Sequence, residues 1–308
     1  MRAITQQEFG GPEVLGLVEV PRPELRPTEV LVRVAAIGVN PVEGMIRAGR
    51  FPLLGEPPFI LGWEVSGVVE AASPGPARFA LGEEVYGLAM FPRAAGAYAE
   101  YVAAPSRHFA RKPAGLSHPE AAALPLVGLT AWQGLVDYAG LSAGQRVLIH
   151  GAGGGVGHVA VQIAKAGGAY VLGTASGGKR EAVLGFGADE VVDYRATAFE
   201  EAVGEVDIVL DTVGYGERSL AVLRPGGALV TIVQHTNAEL RARVEAAGRR
   251  FVGVAVEPDH AGLAELNRLV DKGLLRPQVA ATLPLADAAT AHELVDGGHT
   301  LGKVVLTT

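Results

Sequence analysis

The sequence predicts an α/β chain in which a doubly wound parallel sheet follows a smaller, β-rich part. Three observations carry this reading. From about Pro119, short apolar runs alternate with helical periods; a glycine run follows one apolar run directly; and the first third is broken up by Pro and Gly without a helical period. Strands alternating with helices cover both faces of a sheet, which makes the sheet parallel.

The elements follow in order. Residues 29–34 (EVLVRV) alternate as a half-buried strand, and 62–71 (GWEVSGVVEA) form another, whose two glycines point to close backbone packing. A small barrel with irregular loops is expected there. Residues 146–150 (RVLIH) make a short buried strand, after which Val156, Val159, Ala160, Ile163 and Ala164 recur at helical spacing. Further strands are expected at 169–175, 190–193, 206–211, 227–233 and 251–256. A helical stretch near 286–295 and a last strand at 303–306 complete the chain, with no internal repeat.

Composition bounds the function. The 308 residues, 49% apolar and 19% charged, have room for two ordinary cores. A net charge of −7 and the lack of a Lys/Arg-rich run argue against a nucleic-acid partner, because phosphate binding leaves a basic face. The first residues lack the apolar core of a signal peptide. No apolar stretch approaches the ~18 residues of a membrane span; the richest, 121–129, is broken by Pro125. A cytoplasmic protein without membrane partners is expected. The complete absence of cysteine excludes disulfides, thiolate nucleophiles and thiolate-ligated zinc.

The strongest local signal is Gly151-Ala152-Gly153-Gly154-Gly155-Val156-Gly157, between the 146–150 strand and a helix. It fits G-x-G-x-x-G only in part, since position 156 is Val, but Gly151, Gly154 and Gly157 keep a G-x-x-G-x-x-G spacing. Backbone without side chains turns sharply and lets amide N–H groups approach a pyrophosphate at a helix start. The bland alternative is a tight turn with no ligand, but strand, loop and helix stand in the order that dinucleotide binding demands. Units that bind NAD place an acid about 20 residues on, against the ribose 2′-OH. No carboxylate occurs between Gly157 and Lys179; Ser176, Lys179 and Arg180 stand there, with two glycines. A hydroxyl and cations suit a 2′-phosphate, hence NADPH (NADP+), unless the cations merely solvate a helix start.

Several segments together resemble the medium-chain dehydrogenase/reductase superfamily. Gly38-Val39-Asn40-Pro41-Val42-Glu43 and Gly62-Trp63-Glu64-Val65-Ser66-Gly67 resemble segments that carry a catalytic Cys and His in its zinc alcohol dehydrogenases. Here Asn40 and Trp63 hold those places, and the cysteine-rich zinc lobe is missing, so the resemblance is to the zinc-free, quinone oxidoreductase branch. Agreement continues at 96–101 (GAYAEY), 125–133 (PLVGLTAWQ), 187–189 (GAD), 211–214 (DTVG) and 298–303 (GHTLGK). The resemblance implies a GroES-like β-barrel built from both chain ends (residues 1–120 and 259–308) around a Rossmann domain (121–258), with the active site in the cleft.

It also implies chemistry. Without zinc no Lewis acid polarises an alcohol, which leaves hydride transfer from NADPH to an acceptor already electrophilic: a quinone or an α,β-unsaturated carbonyl. By resemblance, Asn40 stands near the nicotinamide and the substrate carbonyl, unless it is only a turn residue before Pro41. Thr130 stands at the nicotinamide end or packs its helix. Tyr194 lies beside the adenosine phosphate or merely ends a strand. Val213, Val254 and Lys303 complete the cofactor set with Gly151, Gly154, Gly155, Val156, Gly157, Ser176 and Lys179. Met45, Phe51 and Trp63 are expected in a small, hydrophobic substrate pocket; Met45 and Phe51 stand where relatives often carry Tyr, and neither has a hydroxyl to donate. Glu43 and Glu64 read as structural hydrogen-bonding acids, and His150 as a packed strand-end residue. No dedicated general acid is evident, so solvent is the expected proton source, and no histidine spacing suits a metal. An enoyl-thioester reductase, with Arg47, Arg50 and Arg93 as weak phosphate contacts, and a non-catalytic NADPH-binding or sensing protein are the competing readings. A homodimer through the 251–256 sheet edge, which carries no charge or Pro, is the family expectation.

Overall fold

The computed structural model describes residues 1–74 and 78–308. Its contacts divide the chain into two units: Met1–Leu129 with Glu257–Asp271 and Pro277–Thr308, and Thr130–Val256 with Lys272–Arg276. The first unit therefore takes the chain beyond residue 120. Ala122 and Ala123 share a buried cluster with Ala36 and Val305, and the Leu126 N–H donates to Glu64, so this stretch is committed to the barrel. The short return at Lys272–Arg276 is held by Gln162, whose side chain bonds both the N–H and the C=O of Arg276.

The barrel unit is organised by one long strand, Glu29–Val39, which is buried along most of its length. It pairs with Glu64–Ala72, Tyr101–Pro105 and the last strand, Lys303–Thr307, all antiparallel. Glu84–Leu88 and Phe109–Arg111 extend the sheet on one side and Val279–Pro284 on the other. A smaller sheet joins Gly16–Glu19, Arg2–Gln6 and Phe59–Ile60. Neither that sheet nor the Val279–Pro284 strand was legible in the sequence, because their runs are short and half-exposed. Residues Ala35–Val39 lengthen the expected strand and carry the site.

The second unit is a six-stranded parallel sheet in the order Glu190–Asp193, Tyr170–Ala175, Arg146–Ile149, Val206–Asp211, Leu223–Thr231, Arg250–Gly253. In chain order this is 3-2-1-4-5-6, the doubly wound arrangement in which the order reverses at the first strand and ligands bind outside the carboxyl ends. Leu148, Leu172, Val209 and Leu229 from four central strands pack with Phe199, Leu240 and Val244 in one core. Arg250–Gly253 is one edge of this sheet, Glu190–Asp193 the other; Arg250–Gly253 begins one residue before the expected 251–256 strand and ends three residues earlier.

Close backbone approach at Gly67 is what lets Glu64–Ala72 lie against Glu29–Val39. A Cβ there would stand 2.2 Å from the Arg33 carbonyl oxygen. Gly67→Ala is expected to lower stability by about 1–3 kcal/mol, the usual cost of overpacking a close contact. Urea unfolding measures it, and wild-type stability would refute the close approach.

Candidate active site

The glycine loop grows out of the Arg146–Ile149 strand and enters the Gly155–Ala166 helix. Gly151 has φ +65°, and a Cβ on Gly157 would lie 2.1 Å from the Gly151 oxygen, so both places demand glycine. Gly154 caps the helix without a side chain. The N–H groups of Gly155, Val156 and Gly157 thus have neither an intrahelical acceptor nor a side-chain cap, and present the positive end of the helix. Such an arrangement can hold a pyrophosphate.

A hydrogen-bonded spine supports the loop from beneath. Gly151 N–H donates to Thr174 Oγ1 (3.3 Å), and His150 bridges Thr174 Oγ1 and Ser219 Oγ at 3.1 Å each. Ser219 donates onward to the Tyr215 carbonyl, so it accepts from His150 Nε2–H, and Nδ1 is left to accept from Thr174. Burial pushes the His150 pKa down to about 4 against the pull of Asp211, which keeps this neutral form at physiological pH. Asp211 Oδ1 gathers the N–H groups of Val213, Gly214 and Tyr215 (3.1, 2.8 and 3.0 Å) and fixes the turn that exposes Val213.

At the next strand end, register places Ser176 beside Tyr194, because Ala175 pairs with Asp193. Lys179 is half-buried, and burial together with the nearby Arg195 lowers its pKa. The exposed Tyr194 ring lies 5.7 Å from the Arg195 guanidinium. Arg180 turns away and donates to the Val191 carbonyl, so the second cation at this end is Arg195 and not Arg180. The sequence reading missed Arg195; its signal was its place directly after Tyr194. One carboxylate does approach: Asp193 Oδ2 would stand 2.6 Å from a Cβ on Gly177. A hydroxyl, a phenol and two cations around it nevertheless fit a phosphate dianion better than a neutral ribose. These residues fit NADPH. Val254 is buried, as is Thr130 on the Pro125–Trp132 helix.

The barrel unit contributes a different kind of site, built of side chains. Val39 pairs with Val304, so the next residues, Asn40 and Lys303, face each other; Ile37 pairs with Val65, which brings Glu64 to Gly38. A Cβ on Gly38 would lie 2.2 Å from Glu64 Oε1, so that glycine makes room for the carboxylate. Lys303 Nζ donates to Glu64 Oε1 (2.6 Å), to the Val39 carbonyl (2.9 Å) and to Asn40 Oδ1. Asn40 Nδ2 donates to Glu64 Oε1 (2.9 Å), and Leu126 N–H to Glu64 Oε2 (2.8 Å). All three Lys303 donors are spent inside the barrel.

Asn40 also opens the Pro41–Arg47 helix, yet its side chain makes no cap. Glu43 reaches back and takes the Asn40 N–H on Oε2 (2.6 Å), leaving the carboxamide free for Lys303 and Glu64. Tyr98 O–H donates to the same Glu43 oxygen (2.9 Å) and accepts from His292 Nε2 (3.0 Å). His292 Nδ1 accepts from Arg47 (2.8 Å), which also holds Asp296 (2.8 Å). Among the described residues Glu43 Oε1 has no hydrogen-bond partner. Burial, aided by Glu64 and opposed by the Asn40 N–H, Lys303 and Tyr98, raises the Glu43 pKa to about 7.

Met45 is exposed on that helix and Phe51 is half-buried beyond it. Trp63 has no accessible surface: its indole N–H donates to the Arg93 carbonyl (2.7 Å) and its ring meets Phe91 edge-on, so it supports the wall from within. Among the described residues, no three His, Asp or Glu side chains gather to hold a metal ion, and no helix is long and apolar enough to cross a membrane.

Comparisons with known proteins fit this geometry. Residues 26–114 match the model of the alcohol dehydrogenase GroES-like domain, and residues 186–306 that of the zinc-binding dehydrogenases. The human quinone oxidoreductase is 35% identical over 99% of this chain and 97% of its own length. The chain belongs to the medium-chain dehydrogenase/reductase superfamily, in its quinone oxidoreductase-like branch. The chloroplastic NADPH-dependent alkenal/one oxidoreductase of Arabidopsis thaliana is 32% identical, covering 99% of this chain and 79% of that protein. The Escherichia coli quinone oxidoreductase solved in complex with NADPH superposes with a TM-score of 0.91 at 29% identity, each chain covered completely. Although one matching family model is named for zinc, this member places a carboxamide and an indole where the resemblance puts the ligands.

Glu43 yields a signed prediction. Its pKa in the fold lies above the ordinary 4.5, so the unfolded chain releases this proton first, and stability falls as pH rises from about 4.5 to 7, by about 3 kcal/mol. His292, lowered to about 4 by burial and Arg47, acts in the opposite direction, losing stability as pH falls below 6.5. Urea unfolding of wild type and Glu43→Gln across this range isolates the carboxyl: the wild type should lose ground to the variant as pH rises. Parallel curves would place Glu43 outside the titrating set.

Proposed function

We propose that this chain is an NADPH-dependent reductase that transfers hydride, without a metal, to quinones or α,β-unsaturated carbonyl compounds. The observation that carries the reading is the carboxamide of Asn40, hydrogen-bonded in place by Lys303 and Glu64, at the position where zinc-dependent members hold a ligand. A carboxamide cannot supply Lewis acidity, so the acceptor must itself be electrophilic. The names of the human, Arabidopsis and Escherichia coli relatives support quinones, alkenals and enones as acceptors and NADPH as donor.

When bound, the nicotinamide supplies the hydride. Gly151, Gly154, Gly155, Val156 and Gly157 hold the pyrophosphate on backbone N–H groups. Ser176, Lys179 and Tyr194, joined by Arg195, take the 2′-phosphate. Val213, exposed on its anchored turn, and Val254 line the nucleotide, and Thr130 meets the nicotinamide. Asn40 meets the acceptor oxygen, Met45 and Phe51 supply apolar surface, and solvent returns the proton. The chain works in the cytoplasm as a homodimer paired through the Arg250–Gly253 edge.

Loss of NADPH absorbance against a panel of quinones, enones, alkenals and enoyl thioesters tests the activity. Turnover of the first three classes is expected; a protein that binds NADPH and reduces nothing would end the enzyme reading. Lys179→Ala is expected to weaken NADPH about 10- to 100-fold, the value of a charged hydrogen bond, and to leave NADH nearly unchanged. Equal weakening of both cofactors in a binding titration would remove the 2′-phosphate from this place.

A further inference from the structure

The hydrogen bonds around Asn40 leave an imbalance that the proposed reaction can use. A carboxamide has one oxygen and two N–H donors. Asn40 Oδ1 is taken by the Lys303 ammonium, and one Nδ2–H by Glu64 Oε1 at 2.9 Å. Among the described residues no other bond involves the Nδ2 group, so one N–H remains uncommitted on a residue that is 2% exposed. The opposite orientation of the amide is closed: it would set Oδ1 against the Glu64 carboxylate and the NH2 group against the ammonium. Lys303 and Glu64, themselves paired at 2.6 Å, therefore act as a two-sided lock on the amide.

The lock is itself held. Lys303 has its third donor on the Val39 carbonyl, the residue before Asn40, so it grips both the backbone and the side chain of the segment it positions. Glu64 has its other oxygen on Leu126 N–H and occupies the space that Gly38 leaves. Glu43 relieves Asn40 of its capping duty. Among the described residues the buried Glu43 Oε1 also has no partner, but it belongs to a carboxyl, and the spare amide donor of the lock is the one on Asn40.

We infer that Lys303 and Glu64 are positioning residues that fix the Asn40 carboxamide so that its uncommitted Nδ2–H donates to the carbonyl oxygen of the acceptor. The inference rests on the reductase reading. As hydride reaches the β-carbon of an enone, or a quinone ring, electron density moves onto that oxygen, and a fixed donor in a water-poor place stabilises the charge as it develops. Lys303, bonded to Oδ1, draws electron density from the amide and strengthens the donor. The group that positions Asn40 thus comes from the opposite end of the chain, and Lys303 serves the acceptor through Asn40 and not the nucleotide.

A double-mutant cycle tests the inference. Lys303→Met alone would strand a buried carboxylate, so the lock is removed as the neutral pair Lys303→Met/Glu64→Gln, and compared with Asn40→Ala and with the triple variant. For an enone or quinone that the wild type reduces, Asn40→Ala is expected to lower kcat roughly a hundredfold. The neutral pair should lower it at least tenfold, with NADPH affinity unchanged. In the Asn40→Ala background the neutral pair should cost less than about twofold more, because its action passes through the amide. A full additional loss in the triple variant, or a loss confined to KM, would make the lock merely structural and overturn the inference. A readout independent of turnover is hydrogen exchange of the Asn40 carboxamide, identified by its disappearance in Asn40→Ala: one proton exchanging more slowly than the other in the wild type, both exchanging alike in the neutral pair. Two equivalent protons in the wild type would refute the lock even if the protein reduced every acceptor. A wild type that reduced no acceptor but kept one slower proton would end the reductase reading, and with it the donor role, while showing that the lock itself stands.

Discussion

The pairing of the last strand, Lys303–Thr307, with Glu29–Val39 is the constraint on which the barrel site depends. It closes the barrel with the far end of the chain and sets Lys303 opposite Asn40. A shift of one residue in this register would turn the Lys303 side chain to the other face of the sheet and leave Glu64 buried without a counter-charge. The same long strand sets Glu64 through its other neighbour. Three residues of one cluster are thus delivered by two ladders on a common strand, and precision comes from backbone hydrogen bonds before any side chain makes a choice.

The glycine loop of one unit and the polar cluster of the other are specified in different ways. The glycine loop relies on missing side chains: Gly151 takes a positive φ, a Cβ on Gly157 would stand 2.1 Å from the Gly151 oxygen, and the helix start supplies donors from the backbone. Its support is neutral, with His150 held uncharged by burial so that a chain of hydrogen bonds runs one way from Gly151 to Tyr215. The barrel cluster relies on buried charges that are matched almost one for one, Lys303 against Glu64 and Arg47 against Asp296. Glu43 is the exception, carrying an unpartnered oxygen and a raised pKa, and its position at the helix start is what frees Asn40.

Much of the nucleotide unit was legible in advance, because its signals are local. Apolar runs mark buried strands, glycines in a fixed context mark the loop, and the doubly wound order follows from the alternation of elements. The weakest readings were those that needed neighbours. Arg180 looked like a phosphate ligand by proximity in sequence, yet its guanidinium turns to Val191, while Arg195 comes in from the adjacent strand end. Trp63 looked like a pocket residue because it replaces a ligand, and only packing shows that it has no accessible surface. The domain boundary moved for the same reason, since Leu126 is tied to Glu64 by a bond no pattern announces.

By itself, the sequence determined the parallel sheet, the glycine cradle, the cationic strand end after Ser176 and the exclusion of thiolate chemistry. Each rests on residue type and short spacing, which the chain expresses locally. Only the tertiary structure decided what Asn40 and Lys303 are bonded to. They lie 263 residues apart, and a cluster of that separation exists only once both ladders on Glu29–Val39 have formed. Position in a motif suggested that Asn40 faces a substrate. The donors and acceptors around it leave one of its N–H groups for the proposed role.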